Sequence, residues 1–406
     1  MTRGRDTKPH IGIFGRRNTG KSSFINTLVK QQIAIVSEQA GTTTDPVRKS
    51  IEIFGIGPAI VIDTAGIDDV GELGAKRISR TLEVLRTVDC AVLLIEGNRF
   101  GEEERNLIRQ FGEWDIPFLI LHNKEDLEPL LSETEEAIRM QYGSKIVRFS
   151  TVQDDHLQEV IEALKITIPG TSYQHATLIG DIIHANDYVV LITPIDQEAP
   201  EGRMILPQVM VIRDVLDHDA ITIVLKENQV EQFFQTSGIR PALAITDSQV
   251  FGKVKDLVPA SVPLTSFSIV MARQRGNFDH YLEGTSHLDK LKDGDRVLIL
   301  ESCTHQVNCD DIGRHKLPRW IREFSGKSIE FDVIAGLNPL PADLRAYRMV
   351  IQCGGCMVTR KQLQNRLKPF IDAGVPVTNY GLAIAYMNGI FKRSTAPFLS
   401  SHDPNR

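Results

Sequence analysis

Short apolar runs alternate with stretches of helical period along the first 170 residues. Runs at His10–Phe14, Ser50–Phe54, Ala59–Asp63, Cys90–Ile95, Phe118–His122 and Lys145–Phe149 predict strands. Periodic stretches at Lys21–Val29, Lys76–Thr87, Glu102–Trp114, Glu133–Tyr142 and Leu157–Ile166 predict helices between them. Continuous apolar strands separated by helices call for a mostly parallel sheet covered on both faces. Ile168-Pro169-Gly170 punctuates the end of this unit. The pattern restarts over 171–265 with strands at Tyr188–Thr193, Ala220–Leu225 and Ala242–Thr246 and a helix at Pro207–Leu216. A third stretch, 266–406, carries strands at Arg296–Leu300, Ile329–Ile334, Arg348–Gln352 and Pro376–Thr378 and a helix at Lys361–Ala373. The expected fold class is α/β, a larger domain over 1–170 followed by two smaller α/β domains over 171–265 and 266–406.

Composition adds limits. The 406 residues are 42% hydrophobic and 24% charged, with a formal net charge of −6. Each domain can bury a core, and the negative balance argues against a broad nucleic-acid surface. The polar stretch Met1–His10 resembles no signal peptide, and no apolar run reaches the roughly 18–20 residues of a membrane helix. Both absences lead to the expectation of a cytoplasmic protein with no membrane and no nucleic-acid partner. The five cysteines, Cys90, Cys303, Cys309, Cys353 and Cys356, are too few for a disulfide framework. Four of them fall between 303 and 356, which in a reducing compartment points to metal or redox chemistry.

Gly15-Arg16-Arg17-Asn18-Thr19-Gly20-Lys21-Ser22 fits the phosphate-binding pattern GxxxxGK(S/T) between a predicted strand and a predicted helix. Backbone N–H groups from Asn18, Thr19, Gly20 through Ser22 and Ser23 would cradle phosphate at the helix N-terminus. Lys21 would offset β- and γ-phosphate charge and Ser22 would ligate Mg²⁺. Three more motifs come after it in order. Gly41-Thr42-Thr43-Thr44-Asp45 supplies a threonine for Mg²⁺ and the γ-phosphate. Asp63-Thr64-Ala65-Gly66 places Asp63 toward Mg²⁺ and the Gly66 N–H toward the γ-phosphate. Asn123-Lys124-Glu125-Asp126 lets Asp126 accept from guanine N1 and N2, a donor pair adenine lacks. Ser150-Thr151 offers a last base-contacting loop. The expectation is a P-loop GTPase domain using GTP and Mg²⁺, with Lys21, Thr43 and Gly66 closest to the chemistry. Ile67 stands where small signalling GTPases carry a water-positioning glutamine. The acids Asp68, Asp69 and Glu72 read as a solvated loop, with water orientation as the competing role.

Gly-Arg-x-Asn-x-Gly-Lys-Ser, Gly-Thr-Thr-x-Asp and Asp-Thr-Ala-Gly-Ile together resemble the potassium-activated GTPases, the class of the Era- and TrmE-like tRNA-modification and ribosome-assembly G proteins. That resemblance implies that Asn18 helps bind K⁺ beside the phosphates and that Thr43 ligates Mg²⁺. A monovalent cation there takes the place of an arginine finger in offsetting transition-state charge.

Cys303-Thr304-His305 comes after one predicted strand, and Gln352-Cys353-Gly354-Gly355-Cys356 after another. Carboxyl ends of strands in an open α/β sheet meet where ligands bind. Thiolates some fifty residues apart can therefore converge, and the glycines leave backbone N–H groups free to bond sulfur. Four cysteines suit zinc and an iron–sulfur cluster equally.

The whole arrangement resembles the HydF family of FeFe-hydrogenase maturation GTPases. The likeness runs through nearly the whole chain, including Cys309-Asp310-Asp311-Ile312-Gly313 and Pro318-Arg319-Trp320. It implies a 4Fe-4S cluster on Cys303, Cys353 and Cys356, with His305 in its family place. It implies a scaffold or carrier for a two-iron subcluster precursor, partnered by the apo FeFe-hydrogenase and the radical-SAM maturases, and a homodimer formed through the middle domain. The family's frequent histidine before the CxxC is Gln352 here, which excludes a histidine ligand at that position. The competing reading is an RNA- or ribosome-associated GTPase with a structural zinc.

Overall fold

The computed structural model describes residues 8–30, 38–39, 47–53, 56–68, 81–144, 146–152, 156–169, 177–194, 204–302, 312–356 and 358–399. The expected residues Thr42, Thr43, Asp69, Glu72, Cys303, His305 and Cys309 lie outside that set, as does part of the expected helix Lys76–Thr87. The chain divides into two compact units, Met1–His175 and Ala176–Arg406.

The first unit is built on a seven-stranded sheet. Its strands are β1 (His10–Gly15), β2 (Glu38–Gln39), β3 (Val47–Ile53), β4 (Gly57–Asp63), β5 (Cys90–Glu96), β6 (Phe118–Asn123) and β7 (Ile146–Arg148). The order is β2-β3-β4-β1-β5-β6-β7, parallel except where β3 pairs with β2 and β4. Helices α1 (Lys21–Lys30), α2 (Glu102–Glu113), α3 (Ser132–Tyr142) and α4 (Leu157–Thr167) cover it. Side chains alternate across a strand, so β5 feeds two cores at once. Val92 and Leu94 join Phe24 and Phe149 on one face, while Leu93 and Ile95 join Phe14 and Phe111 on the other. Edge-to-face packing of Phe24 on Phe149, 5.3 Å between centroids, pins α1 against the sheet just after the phosphate loop.

The second unit holds two parallel four-stranded sheets. Strands β8 (Tyr188–Ile192), β9 (Ile221–Leu225), β10 (Leu243–Thr246) and β11 (Leu264–Ser266) run in the order β11-β10-β8-β9. Strands β12 (Arg296–Leu300), β13 (Glu330–Ile334), β14 (Met349–Gln352) and β15 (Val377–Asn379) run in the order β13-β12-β14-β15. The principal helices are α5 (Leu206–Asp217), α6 (Phe267–Arg275), α7 (Phe278–Thr285), α8 (Leu317–Ser325), α9 (Arg360–Asp372), α10 (Tyr380–Met387) and α11 (Phe391–Leu399). One hydrophobic cluster runs under both sheets, from Leu178 to Phe398. The division expected at 265 falls inside β11, which pairs with β10.

The α/β class is as the apolar pattern predicts, and Arg296–Leu300 has the predicted bounds. No helix among the described residues is long and apolar enough to cross a membrane.

His10 opens β1 almost fully buried, its N–H on Asp89 Oδ2 at 2.8 Å and its Nδ1 3.1 Å from the Lys8 carbonyl oxygen. Burial, reinforced by the charges of Arg48 and Lys8, pushes its imidazole down to about 4. The folded state therefore holds a neutral ring that the unfolded chain protonates below about 6.5. Stability is complete above that pH and is lost as pH falls toward 4, by about 3 kcal/mol at most. Urea denaturation across pH 7 to 4 should show this slope, and His10→Gln should flatten it.

Candidate functional site

Two sites stand out, one in each unit. In the first, β1 ends at Gly15, whose φ of +150° and whose position against the Leu94 carbonyl (a Cβ would lie 2.5 Å from that oxygen) leave room for glycine alone. The loop then turns through Asn18, held in the left-handed region at φ +62°. Thr19 is buried with its hydroxyl on the Arg16 carbonyl at 2.9 Å. Lys21 curls back so that Nζ donates to the carbonyls of Gly15 (3.0 Å) and Arg16 (2.7 Å), above the N-terminus of α1. Ser22 and Ser23 are exposed in the first turn of that helix.

Neighbouring strand ends complete the site. Ser22 Oγ donates to Asp63 Oδ2 at 2.6 Å, so two of the three residues expected to hold Mg²⁺ already touch. Gly66 packs on the phosphate loop, where a Cβ would stand 2.6 Å from Arg17 Cγ. The Ile67 N–H donates to the Gly15 carbonyl at 3.2 Å, and Asp68 Oδ1 accepts the Arg17 N–H at 2.7 Å. Asp68 is thus bound to the loop rather than being a free surface acid.

At the base end, Asn123 reaches under the phosphate loop and donates from Nδ2 to the Thr19 carbonyl at 2.8 Å. A Cβ on Gly20 (φ +89°) would lie 2.3 Å from that nitrogen. Lys124 takes a left-handed φ of +61° and pairs with Glu96. Asp126 is exposed and accepts from the Ser150 hydroxyl, which also accepts the Val152 N–H at 3.1 Å.

Two supports escaped sequence reasoning. Arg16 forks onto Glu104, Nε to Oε1 at 2.7 Å and Nη2 to Oε2 at 2.9 Å, and reaches Glu103 at 2.6 Å. Burial alone would raise the Glu104 carboxyl, but Arg16 and the Gly101 N–H outweigh it and hold the group below the ordinary range. His122 is fully buried between the Gly97 carbonyl (2.9 Å) and Glu125 (2.6 Å). In the sequence Glu103 and Glu104 fall within the predicted helix Glu102–Trp114 and His122 ends the predicted strand Phe118–His122, with no local signal linking them to the site.

In the second unit, β12 and β14 lie side by side with Leu300 opposite Gln352. Each chain leaves its strand at the same level. Beyond β14 come Cys353 and Cys356, both partly buried. Beyond β12 come Glu301 and Ser302, the last described residues before Cys303. The Ser302 N–H points at Cys353 Sγ from 3.1 Å, and the Cys353 N–H donates to the Leu300 carbonyl at 2.9 Å. The cysteines line a cavity of about 210 Å³ with Phe267, Met271, Glu301, Gly313 and Tyr380 among its walls.

Two buried guanidinium groups hold the loops that form this cavity. Arg275, at the end of α6, donates to the carbonyls of Gly355 and Val358, both at 2.7 Å. Arg366, on α9, donates to the carbonyls of Glu301 (2.6 Å) and Ile334 (2.8 Å). Burial pushes the Arg366 group down to about 10, against the countering fields of Cys353, Tyr380 and Glu301. The helix after the CxxC is fixed by a reciprocal cap, Gln362 N–H to Thr359 Oγ1 and Thr359 N–H to Gln362 Oε1. Among the described residues no three of His, Cys, Asp and Glu gather as a metal set.

Comparison with known proteins adds three domain matches. Residues 178–276 match the hydrogen maturase F dimerization domain and 279–397 the hydrogen maturase F tetramerization domain, together more than half of the 406 residues. Residues 10–124 match a family described as 50S ribosome-binding GTPase. The tRNA modification GTPase MnmE of Nitrosomonas eutropha is 40% identical over 129 residues, 31% of this chain and 28% of that protein. MnmE of Bacillus subtilis is 29% identical over 177 residues, 43% of this chain and 37% of that protein. The chain spans between 28% and 38% of the length of such curated relatives. A solved Aquifex aeolicus Era variant with bound GDP and AlF4⁻ is 17% identical, covering 53% of this chain and 92% of that one at a TM-score of 0.34.

Arg275 provides a direct check on the loop after β14. Arg275→Met keeps the apolar stem and leaves two carbonyls without their donor, which should cost about 2–4 kcal/mol. Urea denaturation would measure that loss; an unchanged midpoint would show that the CxxC turn is held by other contacts.

Proposed function

The chain belongs to the hydrogen maturase F family and carries a GTPase domain, and from that footing we propose that it hydrolyses GTP while serving as an iron–sulfur scaffold for hydrogenase assembly. Its cargo is the two-iron subcluster precursor, received from the radical-SAM maturases of the pathway and passed to the apo FeFe-hydrogenase. The observation that carries this reading is the meeting of two strand ends at one cavity, with Ser302 N–H 3.1 Å from Cys353 Sγ. Cys303 comes directly after Ser302 in the sequence and is the third cysteine of the proposed ligand set.

The residues present suit a 4Fe-4S cluster. Cys353 and Cys356 border a cavity of about 210 Å³, the Ser302 N–H aims at the Cys353 sulfur, and Arg275 and Arg366 add positive charge on the loops that form it. Cys303, Cys353 and Cys356 would hold the cluster, with His305 close by in sequence. Three protein ligands leave one iron with an exchangeable position, which is the chemistry a carrier needs. Glu301 is committed to Arg314 at 3.0 Å, and Gln352 brings no imidazole to the fourth place.

On the nucleotide side, Ser22, Thr43 and Asp63 hold Mg²⁺, Lys21 and the loop N–H groups bind the β- and γ-phosphates, and Asp126, supported by Ser150, reads guanine. Asn18 helps hold K⁺. Ile67 cannot orient water, so Lys21, with the cations that Ser22, Asp63 and Asn18 would hold, would supply charge neutralisation in its place. The contact of Asp68 with the Arg17 N–H joins the segment after Gly66 to the phosphate loop. A change at the γ-phosphate therefore reaches residues beyond it and switches partner affinity. Oligomerisation fits the second unit, where edge strand β9 leaves Ile221 and Val224 exposed, as a homodimer through that sheet requires.

Two measurements test these assignments. Anaerobic reconstitution should load the wild type with iron and acid-labile sulfide, and Cys353→Ser should lose the cluster's spectrum. An intact four-iron spectrum in that variant removes Cys353 from the ligand set, and zinc without iron in the purified protein favours the RNA-directed reading. GTP turnover should be about tenfold or more faster in K⁺ than in Na⁺, and Asn18→Ala should abolish the difference.

A further inference from the structure

Gln352 is the last residue of β14 and is fully buried. Its amide does not sit in an apolar setting. Nε2 lies 2.9 Å from Ser302 Oγ and 3.3 Å from Cys353 Sγ. The same sulfur is 3.1 Å from the Ser302 N–H and 3.2 Å from the Ser302 hydroxyl. Polar groups from both strand ends thus converge on one thiol. The backbone is held as well, since Asn379 Nδ2 donates to the Gln352 carbonyl at 3.2 Å. Gln352 Oε1, by contrast, is buried with no hydrogen-bond partner among the described residues.

That unpaired oxygen costs about 1–3 kcal/mol. Leucine or methionine would fill the place without it. What the amide provides in return is a donor aimed at sulfur. A metal-bound sulfur has lost its proton and only accepts. The Ser302 hydroxyl, which accepts from the thiol, can then rotate to donate, and Nε2 already faces the sulfur. Reversing the amide would set an oxygen lone pair against the sulfur, so the sulfur itself selects the orientation that leaves Oε1 bare.

We infer that Gln352 is a positioning residue for the cluster: together with Ser302 it donates to the Cys353 sulfur, fixes the direction of that ligand and raises the reduction potential by drawing charge from the sulfur. Hydrogen bonds to ligating sulfurs and the groups around them are among the levers by which a protein sets such potentials. This inference rests on the cluster-holding reading above.

The experiment reconstitutes the full chain anaerobically as wild type, Gln352→Leu, Gln352→Glu and Ser302→Ala. Iron and sulfide per chain, the electron paramagnetic resonance spectrum and the midpoint potential are read for each, with circular dichroism reporting the fold. Gln352→Leu should keep its iron while shifting the reduction equilibrium by up to about tenfold toward the oxidised form, about 59 mV for a one-electron couple. Ser302→Ala should move it the same way by less. Gln352→Glu, which keeps the shape, should shift it further or lose iron, and it carries the test if the leucine variant does not fold. A loaded Gln352→Leu or Gln352→Glu with the wild-type potential and spectrum overturns the inference and leaves the scaffold reading standing. A wild type that takes up no cluster removes both.

Discussion

Parallel pairing of β12 with β14 brings two segments some fifty residues apart to the same level of one sheet. Leu300 faces Gln352 across the ladder, and neighbouring strands run about 4.8 Å apart. The loops leaving the two strands therefore start within a few ångströms of each other. Ser302 reaches Cys353 for that reason, and the buried arginines act on loops that this register has already juxtaposed. The main-chain bond from the Cys353 N–H to the Leu300 carbonyl extends the ladder one step beyond β14 itself, so the first cysteine of the CxxC inherits the rigidity of the sheet.

The same topological rule organises the nucleotide site, where β1, β4 and β6 each deliver one motif at the carboxyl edge of the larger sheet. The motifs are mechanically joined. Asn123 is bonded to the phosphate loop, Ser22 to Asp63, and Asp68 to Arg17. Arg16 then ties the loop to the start of α2 through a buried carboxylate. A charge-assisted fork of this kind fixes direction as well as distance.

Much of the frame was legible in the sequence because buried parallel strands carry uninterrupted apolar runs, as β5 and β12 do. The phosphate loop was legible because its glycines and lysine act at fixed local spacing. Helices α6 and α10 were not. Six consecutive residues of α10, Tyr380 through Ala385, are all buried, which erases the polar face that marks a helical period. β11 is a three-residue strand ending in Thr265 and Ser266, too short and too polar to stand out. The Arg16–Glu104 fork joins residues 88 apart and leaves no local signature. Gln352 was legible only as the absence of histidine; its bond to the next residue's sulfur depends on where Ser302 stands.

The continuous interior beneath both four-stranded sheets has a consequence for modularity. Phe267 and Met271 on α6 wall the cavity beside Cys353 and Cys356, yet they precede the seam near residue 277 where the two matched domains meet. Arg275, which holds the CxxC turn, comes from the same side of that seam. Excising the cysteine-bearing portion there would strip away part of its own lining and one of its guanidinium props. For transplantation into another chain, the indivisible piece is the entire second unit.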